Sequence, residues 1–397
     1  MAALTLSMGA GPLGLYAVAA LSPIIAADLG LTTARLGTLA AVMYGTAAVT
    51  ALGTGRLADA WPSKRVLMLL FLGSFVALAG VAAATGYAML LAAILLSGAV
   101  QSASNPVTNK LIALHVAPGR RGTIIGIKQS GVQVGQFLTG VVLPVAALAL
   151  GWRRAIALGL VPIALGWGLS VAFVPARGTT RPAVRTSAGR VQAPVGLWQL
   201  ATYTFCNAAL VAAVNVHVPL YAFDAVGLSA TLAGGASGLI GGLGIVARIT
   251  WARGAEGRRT FRAPLLLLAA MSLTAVALLW AAATTGPLLL VLGLIMFAGS
   301  AIPGQAVAML ALVSSTDRRR TGSTTGLMML ALYCGFMTGP FAFGVFVGQT
   351  GTYAAGWALT LLLAGISTLA LVHPLRRRAR LDPTPIAGVP QDERGAS

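Results

Sequence analysis

Long apolar blocks separated by short polar breaks run through the whole chain. They fall at about 4–27, 36–57, 66–84, 88–113, 122–149 and 153–174. After a gap they resume at about 197–223, 231–252, 263–284, 287–312, 322–348 and 353–373. Each block has about the 20 residues that a helix needs to cross a bilayer. Lipid offers no hydrogen-bond partners to a backbone, so blocks of this length are expected to be helical. The pattern predicts an all-α membrane protein with about twelve transmembrane helices.

Composition sharpens this. The chain is 57% hydrophobic and 9% charged, where soluble domains carry about 25% charged residues. A formal net charge of +19 could point to nucleic acid. The basic residues instead sit in short clusters between apolar blocks, so no nucleic-acid partner is expected. When alternate loops are assigned to opposite sides, one side collects Arg56, Lys64, Arg65, Arg120, Arg121, four Arg of 175–196, Arg253, Arg258, Arg259, Arg262, Arg318–Arg320 and the tail cluster at 376–380. The other side receives Arg35, Arg153 and Arg154. This bias predicts a multi-pass protein of the cytoplasmic (inner) membrane with both termini in the cytoplasm. No Lys or Arg precedes Arg35, so the first block is read as a retained helix rather than a signal peptide. Cys206 and Cys334 lie inside apolar runs, and no disulfide is expected.

Residues 175–196 break the pattern with Pro175, Pro182, Pro194 and four Arg residues. They read as a cytoplasmic linker between a six-helix half, 1–174, and a second, 197–373. Residues 374–397 read as a disordered cytoplasmic tail. The halves repeat at an offset near 200. Pro23 to Asp28 recurs as Pro219 to Asp224, Arg120-Arg-Gly122 as Arg320-Thr-Gly322, and Gly151-Trp152 near Gly351. Two-fold self-similarity of this kind marks secondary transporters.

Between the second and third blocks stands the turn Gly55-Arg-Leu-Ala-Asp59, followed by Pro62, Lys64 and Arg65. Its spacing resembles the signature loop between helices 2 and 3 of the major facilitator superfamily. Ala60 stands where that family usually has a basic residue, and Pro62 where it usually has Gly. The linker, the Arg-Arg-Gly before the fifth helix and the Gly-Trp-Arg before the sixth extend the resemblance over nearly the whole chain. One departure is Ile94, four residues before Gly98, where the family often has an Arg; proton-coupling roles tied to that Arg do not carry over. The resemblance implies two pseudo-symmetric six-helix halves and a central cavity lined by helices 1, 4, 7 and 10. It also implies a gate of Gly55, Asp59, Lys64 and Arg65, with Asp59 meeting the start of helix 11 near Gly322 and Ser323. A carboxylate at a helix N-terminus gains about 0.3–1 kcal/mol, and up to about 2 when partly buried.

Polar residues inside the blocks are the candidate ligands. In the fourth block Gln101, Ser104, Asn105, Thr108 and Asn109 share a face about 140° wide. Pro106 loosens that helix. In the seventh, Tyr203, Thr204, Asn207, Asn215 and Tyr221 share a face about 120° wide. In the tenth, Pro303 and Gln305 echo Asn105-Pro106. Helix-to-helix glue, at about 0.6 kcal/mol per bond, is the competing reading. Lys110 and Lys128 each lie about 10 Å in from the loop that joins the fourth and fifth blocks. Lys128 shares its face with Gln129, Gln133, Gln136 and Thr139, which makes it the better ligand. Lys110 points away from the polar stripe and is expected to snorkel to the headgroups. His217 reads as a packing residue. Glycines at 122, 126, 131, 135 and 140, and in the 242–244 stretch, suit close helix packing.

All acidic residues lie at the ends of blocks or in the loops and tail. A deep acid is the usual holder of a cation or a coupling proton, so the substrate is expected to be a small anion or weak acid. The alternative is a proton-driven efflux pump for neutral or amphiphilic compounds. No catalytic or metal-ligating constellation is present, so neither an enzyme nor a metal site is expected. The expected working unit is a monomer in membrane lipid, with a small-molecule substrate, a proton as candidate coupling ion and no resident cofactor.

Overall fold

The computed structural model describes residues 1–116, 121–175, 196–255, 261–315 and 321–372. Among these, side chains at 52, 59, 113, 121–123, 125, 252, 255, 313–315 and 321–326 are left undescribed. The described chain is helical throughout and contains no strand. The helices are α1 (Ala2–Ala10), α2 (Leu13–Ala20), α3 (Ser22–Leu29), α4 (Thr33–Ala60), α5 (Ser63–Ala82), α6 (Tyr87–Gln101), α7 (Ser104–His115) and α8 (Arg121–Leu150). They continue as α9 (Trp152–Ala157), α10 (Leu160–Phe173), α11 (Leu197–Asp224), α12 (Ala230–Ala255), α13 (Arg262–Thr285), α14 (Pro287–Ser315), α15 (Thr321–Thr350) and α16 (Tyr353–Val372). Ten spans are long and apolar enough to cross a membrane, or twelve if each of two bent pairs counts as one.

Proline accounts for three of the breaks. Its ring clashes with the carbonyl four residues back and removes one helical hydrogen bond. Pro12 separates α1 from α2, which bend by 58°. Pro106 and Pro162 stand four residues after Ser102 and Leu158, where α6 gives way to α7 and α9 to α10. The fourth run is therefore two helix pieces joined near its middle.

At one end of the bundle the helices reverse through short turns. Gly30, Gly151, Gly227, Gly286 and Gly351 adopt φ of 61°, 76°, 77°, 98° and 70° there, a conformation that costs glycine little. At this turn end helices approach to backbone contact. A side chain on Gly344 would press on the Thr33 carbonyl, and one on Gly37 on the Pro340 carbonyl, so α4 and α15 are locked together. Gly234 faces the Ala20 carbonyl, and Gly140 faces Gly238. Toward the opposite end one side of α4 stands clear, with Val49 82% exposed and Gly53 and Gly55 facing open space, while its other side stays packed through Thr50 and Thr54, which bond Ser102 at 3.0 Å. Among the described residues, α4 and α15 are closed on each other at the turn end and open toward the other.

The same end carries paired locks. Asp28 accepts from Trp152 Nε1 at 3.0 Å and from Arg153 at 2.9 Å. In the later repeat Asp224 accepts from Tyr353 Oη at 2.7 Å. The repeated acids thus meet the residues that follow the repeated glycines, Gly151 and Gly351. Of the expected packing glycines, Gly131 meets the Thr5 carbonyl and brings α8 against α1, where Gly9 faces it, while Gly126 meets nothing. Gly122 lies outside the described side chains.

Candidate functional site

The polar faces of α7 and α8 meet below the α6–α7 break. Lys128 is fully buried, with 0% exposure. Its ammonium donates to Asn109 Oδ1 at 2.6 Å, Thr108 Oγ1 at 2.7 Å and Asn105 Oδ1 at 3.2 Å. Gln129 Nε2 donates to the same Asn105 oxygen at 3.1 Å. All of these acceptors are neutral, so no counter-charge touches the lysine among them. A lysine at a helix centre costs about 2.5–3.5 kcal/mol on insertion scales. Three charge-assisted hydrogen bonds offset that cost and fix the ammonium in place.

A string of hydroxyls runs from this site around the interior. Tyr333 of α15 interacts with Asn105 and with Tyr44 of α4, and Tyr44 pairs with Tyr16 of α2. Tyr16 in turn interacts electrostatically with Arg248 of α12. Tyr44 also packs on Phe336, with ring centroids 4.9 Å apart. Gln133, one turn beyond Gln129, is buried and its Oε1 has no partner.

The other expected ligands separate into distinct places. Gln101 sits in the α1–α2 break, its side chain filling the space beside Gly11; its Oε1 accepts from Ser104 at 3.4 Å. The polar face of α11 is largely used in helix packing. Asn207 donates to the Ala301 carbonyl at 3.0 Å, Asn215 accepts from Gln136 at 3.0 Å, and Tyr221 donates to the Leu279 carbonyl at 2.6 Å. Tyr203 is buried against Gly304 with its hydroxyl unpartnered. Gln305 Nε2 is likewise buried without a partner. His217 packs as expected, bonding the Pro340 carbonyl at 2.9 Å and stacking on Phe343 at 4.6 Å.

Lys110 departs from the snorkelling expectation. Its ammonium donates to the carbonyls of Ala58 at 2.7 Å and Trp61 at 3.2 Å. The last carbonyls of a helix lack partners and carry partial negative charge, so a nearby ammonium caps them. In the expected gate, Lys64 does the same at the end of α10, donating to the Val171 carbonyl at 2.6 Å. Gly55, expected to allow close approach, stands in open space, and Arg65 is exposed. The side chains of Asp59, Gly322 and Ser323 lie outside the described residues.

Arg248 is the residue that sequence reasoning missed. It lies inside the eighth apolar run, partly buried, with its Nε cut off from solvent and unpartnered. The available signal was a lone Arg one turn beyond the glycine-rich stretch ending at Gly244.

The model of the Major Facilitator Superfamily matches residues 4–332. The chain belongs to the major facilitator superfamily. It is therefore a multi-pass membrane protein of a transporter family, not an enzyme, and the small molecules that such transporters bind are its expected ligands. It is 35% identical over 156 residues to a probable sulfoacetate transporter of Cupriavidus necator, a match covering 38% of this chain and 35% of that one. It is 25% identical over 382 residues to the hexuronate transporter of Bacillus subtilis, covering 89% of both. Among solved structures, a D-xylose-proton symporter superposes with a TM-score of 0.74 at 15% identity, over 94% of this chain and 96% of that one. An inward-facing, occupied bacterial homolog of the human lysosomal transporter Spinster gives 0.73 at 15% identity, over 93% and 94%. At that identity the likeness speaks for the fold alone.

Proposed function

We propose that this protein is a secondary active transporter that moves a small anion or weak acid across the cytoplasmic membrane by alternating access. The observation that carries the reading is Lys128: a fully buried ammonium oriented by three neutral oxygens. A cation held without a counter-charge next to unpartnered polar atoms is prepared for an anion rather than balanced by the protein. Asn105, Asn109, Gln129, Gln133 and Gln305 would contribute neutral hydrogen bonds, while Gln101, Tyr203, Asn207 and Asn215 set the wall behind them. A site with a fixed cation disfavours the neutral-compound efflux reading. The names of the relatives, a sulfoacetate and a hexuronate transporter, agree with organic acids as substrates.

The two halves, 1–174 and 197–373, would rock about this site. Closure at the turn end with openness at the other fits an inward-facing form, if the basic loops are cytoplasmic as their charge bias implies. Asp59 would help to close the open end in the opposite state. The test is ligand affinity of purified protein for a panel of organic anions, cations and neutral sugars. At least one small anion should bind with saturation while the cations do not. Saturable binding of cations or neutral compounds alone would refute the reading.

A further inference from the structure

A second cation, Arg248, stands on α12, the helix packed against α8. The α8–α12 interface gives the register. Gly238 lies on Gly140, Gly241 on Phe137, and the position of Gly244 is 3.6 Å from the Gln133 side chain. Each turn forward on α12 is thus matched by a turn back on α8. One more turn brings Arg248 to the level of Gln129, directly after Lys128.

Several observations say that Arg248 is not a structural ion-pair residue. Among the described residues it makes no salt bridge; the one bridge found among them joins Arg153 and Asp28. Its Nε is buried and unpartnered. Its electrostatic neighbour is Tyr16, a neutral phenol. α12 itself, Ala230–Ala255, contains no acidic residue. This level therefore carries two cations, Lys128 from the first half of the chain and Arg248 from the second, whose described polar neighbours are neutral amides and hydroxyls.

The geometry points to a substrate carrying two anionic groups, one held by Lys128 on α8 and the other by Arg248 on α12. This rests on the anion reading proposed above and narrows it. The three donors of the compact ammonium are in use, so a single oxygen of one anionic group would replace the longest of its bonds, that to Asn105 at 3.2 Å. The planar guanidinium suits a carboxylate or sulfonate face bound by two parallel hydrogen bonds. A substrate that bridges them ties α8 to α12, so binding itself would favour closure around the ligand. A ligand moves a conformational equilibrium only by binding one state better, and two anchors on facing helices supply that difference.

The test compares two-headed acids with their half-amides in purified full-length protein. The probes are sulfoacetate, malonate, succinate and glutarate, each against the same molecule with one acid converted to the neutral amide. In the wild type the best diacid should bind at least tenfold more tightly than its half-amide. Arg248→Gln should bring that ratio close to one, the larger loss falling on the diacid. Arg248→Lys, which keeps the charge, should retain part of the preference and controls for misfolding, alongside the unfolding midpoint of each variant. Equal binding of diacids and half-amides, or a preference that survives in Arg248→Gln, would overturn the two-anchor assignment and leave the single-anion reading standing. Absence of binding by every anion, two-headed or not, would instead remove the anion reading itself.

Discussion

Lys128→Met separates a binding role from a structural one through opposite effects on stability and affinity. If Lys128 is a structural pin, its three bonds tie α8 to α7 and their loss destabilises the fold. Bonds to a charged group contribute about 1.5–3 kcal/mol each. If it is a ligand, the fold tolerates its removal, because each acceptor keeps another partner. Asn105 Oδ1 still accepts from Gln129 at 3.1 Å. Thr108 Oγ1 still donates to the Ser104 carbonyl at 2.6 Å. Asn109 is exposed and can be hydrated. Removing the ammonium also relieves a burial cost whose ceiling, for a charge at a helix centre, is about 2.5–3.5 kcal/mol, and replacing buried ionic groups by apolar ones is often neutral or stabilising by about 1–4 kcal/mol. The expected outcome is an unfolding midpoint in detergent unchanged or raised. Anion affinity should fall about 10- to 150-fold, the equivalent of about 1.4–3 kcal/mol. Lys128→Arg should restore only part of the affinity, since a planar fork does not replace a compact ammonium. A lowered midpoint with unchanged affinity would refute the reasoning and make Lys128 a packing residue.

Gly131→Ala should lower stability and yield, because a methyl group there strikes the Thr5 carbonyl of α1; Gly126→Ala, in open space, should be harmless, and thermal unfolding of the two side by side checks this. Single cysteines at positions 187 and 351, in a background without Cys206 and Cys334, should react in intact cells with an impermeant thiol reagent only at 351; labelling at 187 would reverse the orientation. Asp59→Asn should cut transport while sparing binding, since about 1.4 kcal/mol lost from the closing contact shifts a two-state ratio about tenfold toward the inward-facing form. Spin-label distances between α4 and α15 near residues 55 and 327 would show the shift, and unchanged distances with normal transport would leave Asp59 a loop acid.

The architecture could be read from the sequence because a bilayer imposes its own length scale. Each apolar block had to be a helix of about the bilayer thickness, and Pro106 marked the break in the fourth run. The Lys128–Gln129 face was legible for the same reason: charge inside an apolar run is costly and its helical phase can be counted. The fate of each polar residue was less legible. Asn207 and Gln133 each lie on a polar face, yet Asn207 bonds a carbonyl of α14 while the Gln133 oxygen has no partner. Phase on one helix says nothing of which neighbour it meets. Lys110 failed similarly, because the carbonyls it caps belong to α4, about 50 residues earlier in the chain. Arg248 was hidden by its proximity to Arg253, five residues on, so it merges with the basic boundary cluster. Its significance appears only when the α8–α12 register sets it level with Gln129.

The measurement that bears most directly on the account is uptake of a labelled organic anion by proteoliposomes, wild type beside Lys128→Met. Sulfoacetate and a hexuronate are the first substrates to try, with an imposed proton gradient and without. The account predicts saturable anion uptake by the wild type and near-background uptake by the folded variant. Wild-type rates in Lys128→Met, or uptake confined to cationic or neutral compounds, would contradict it.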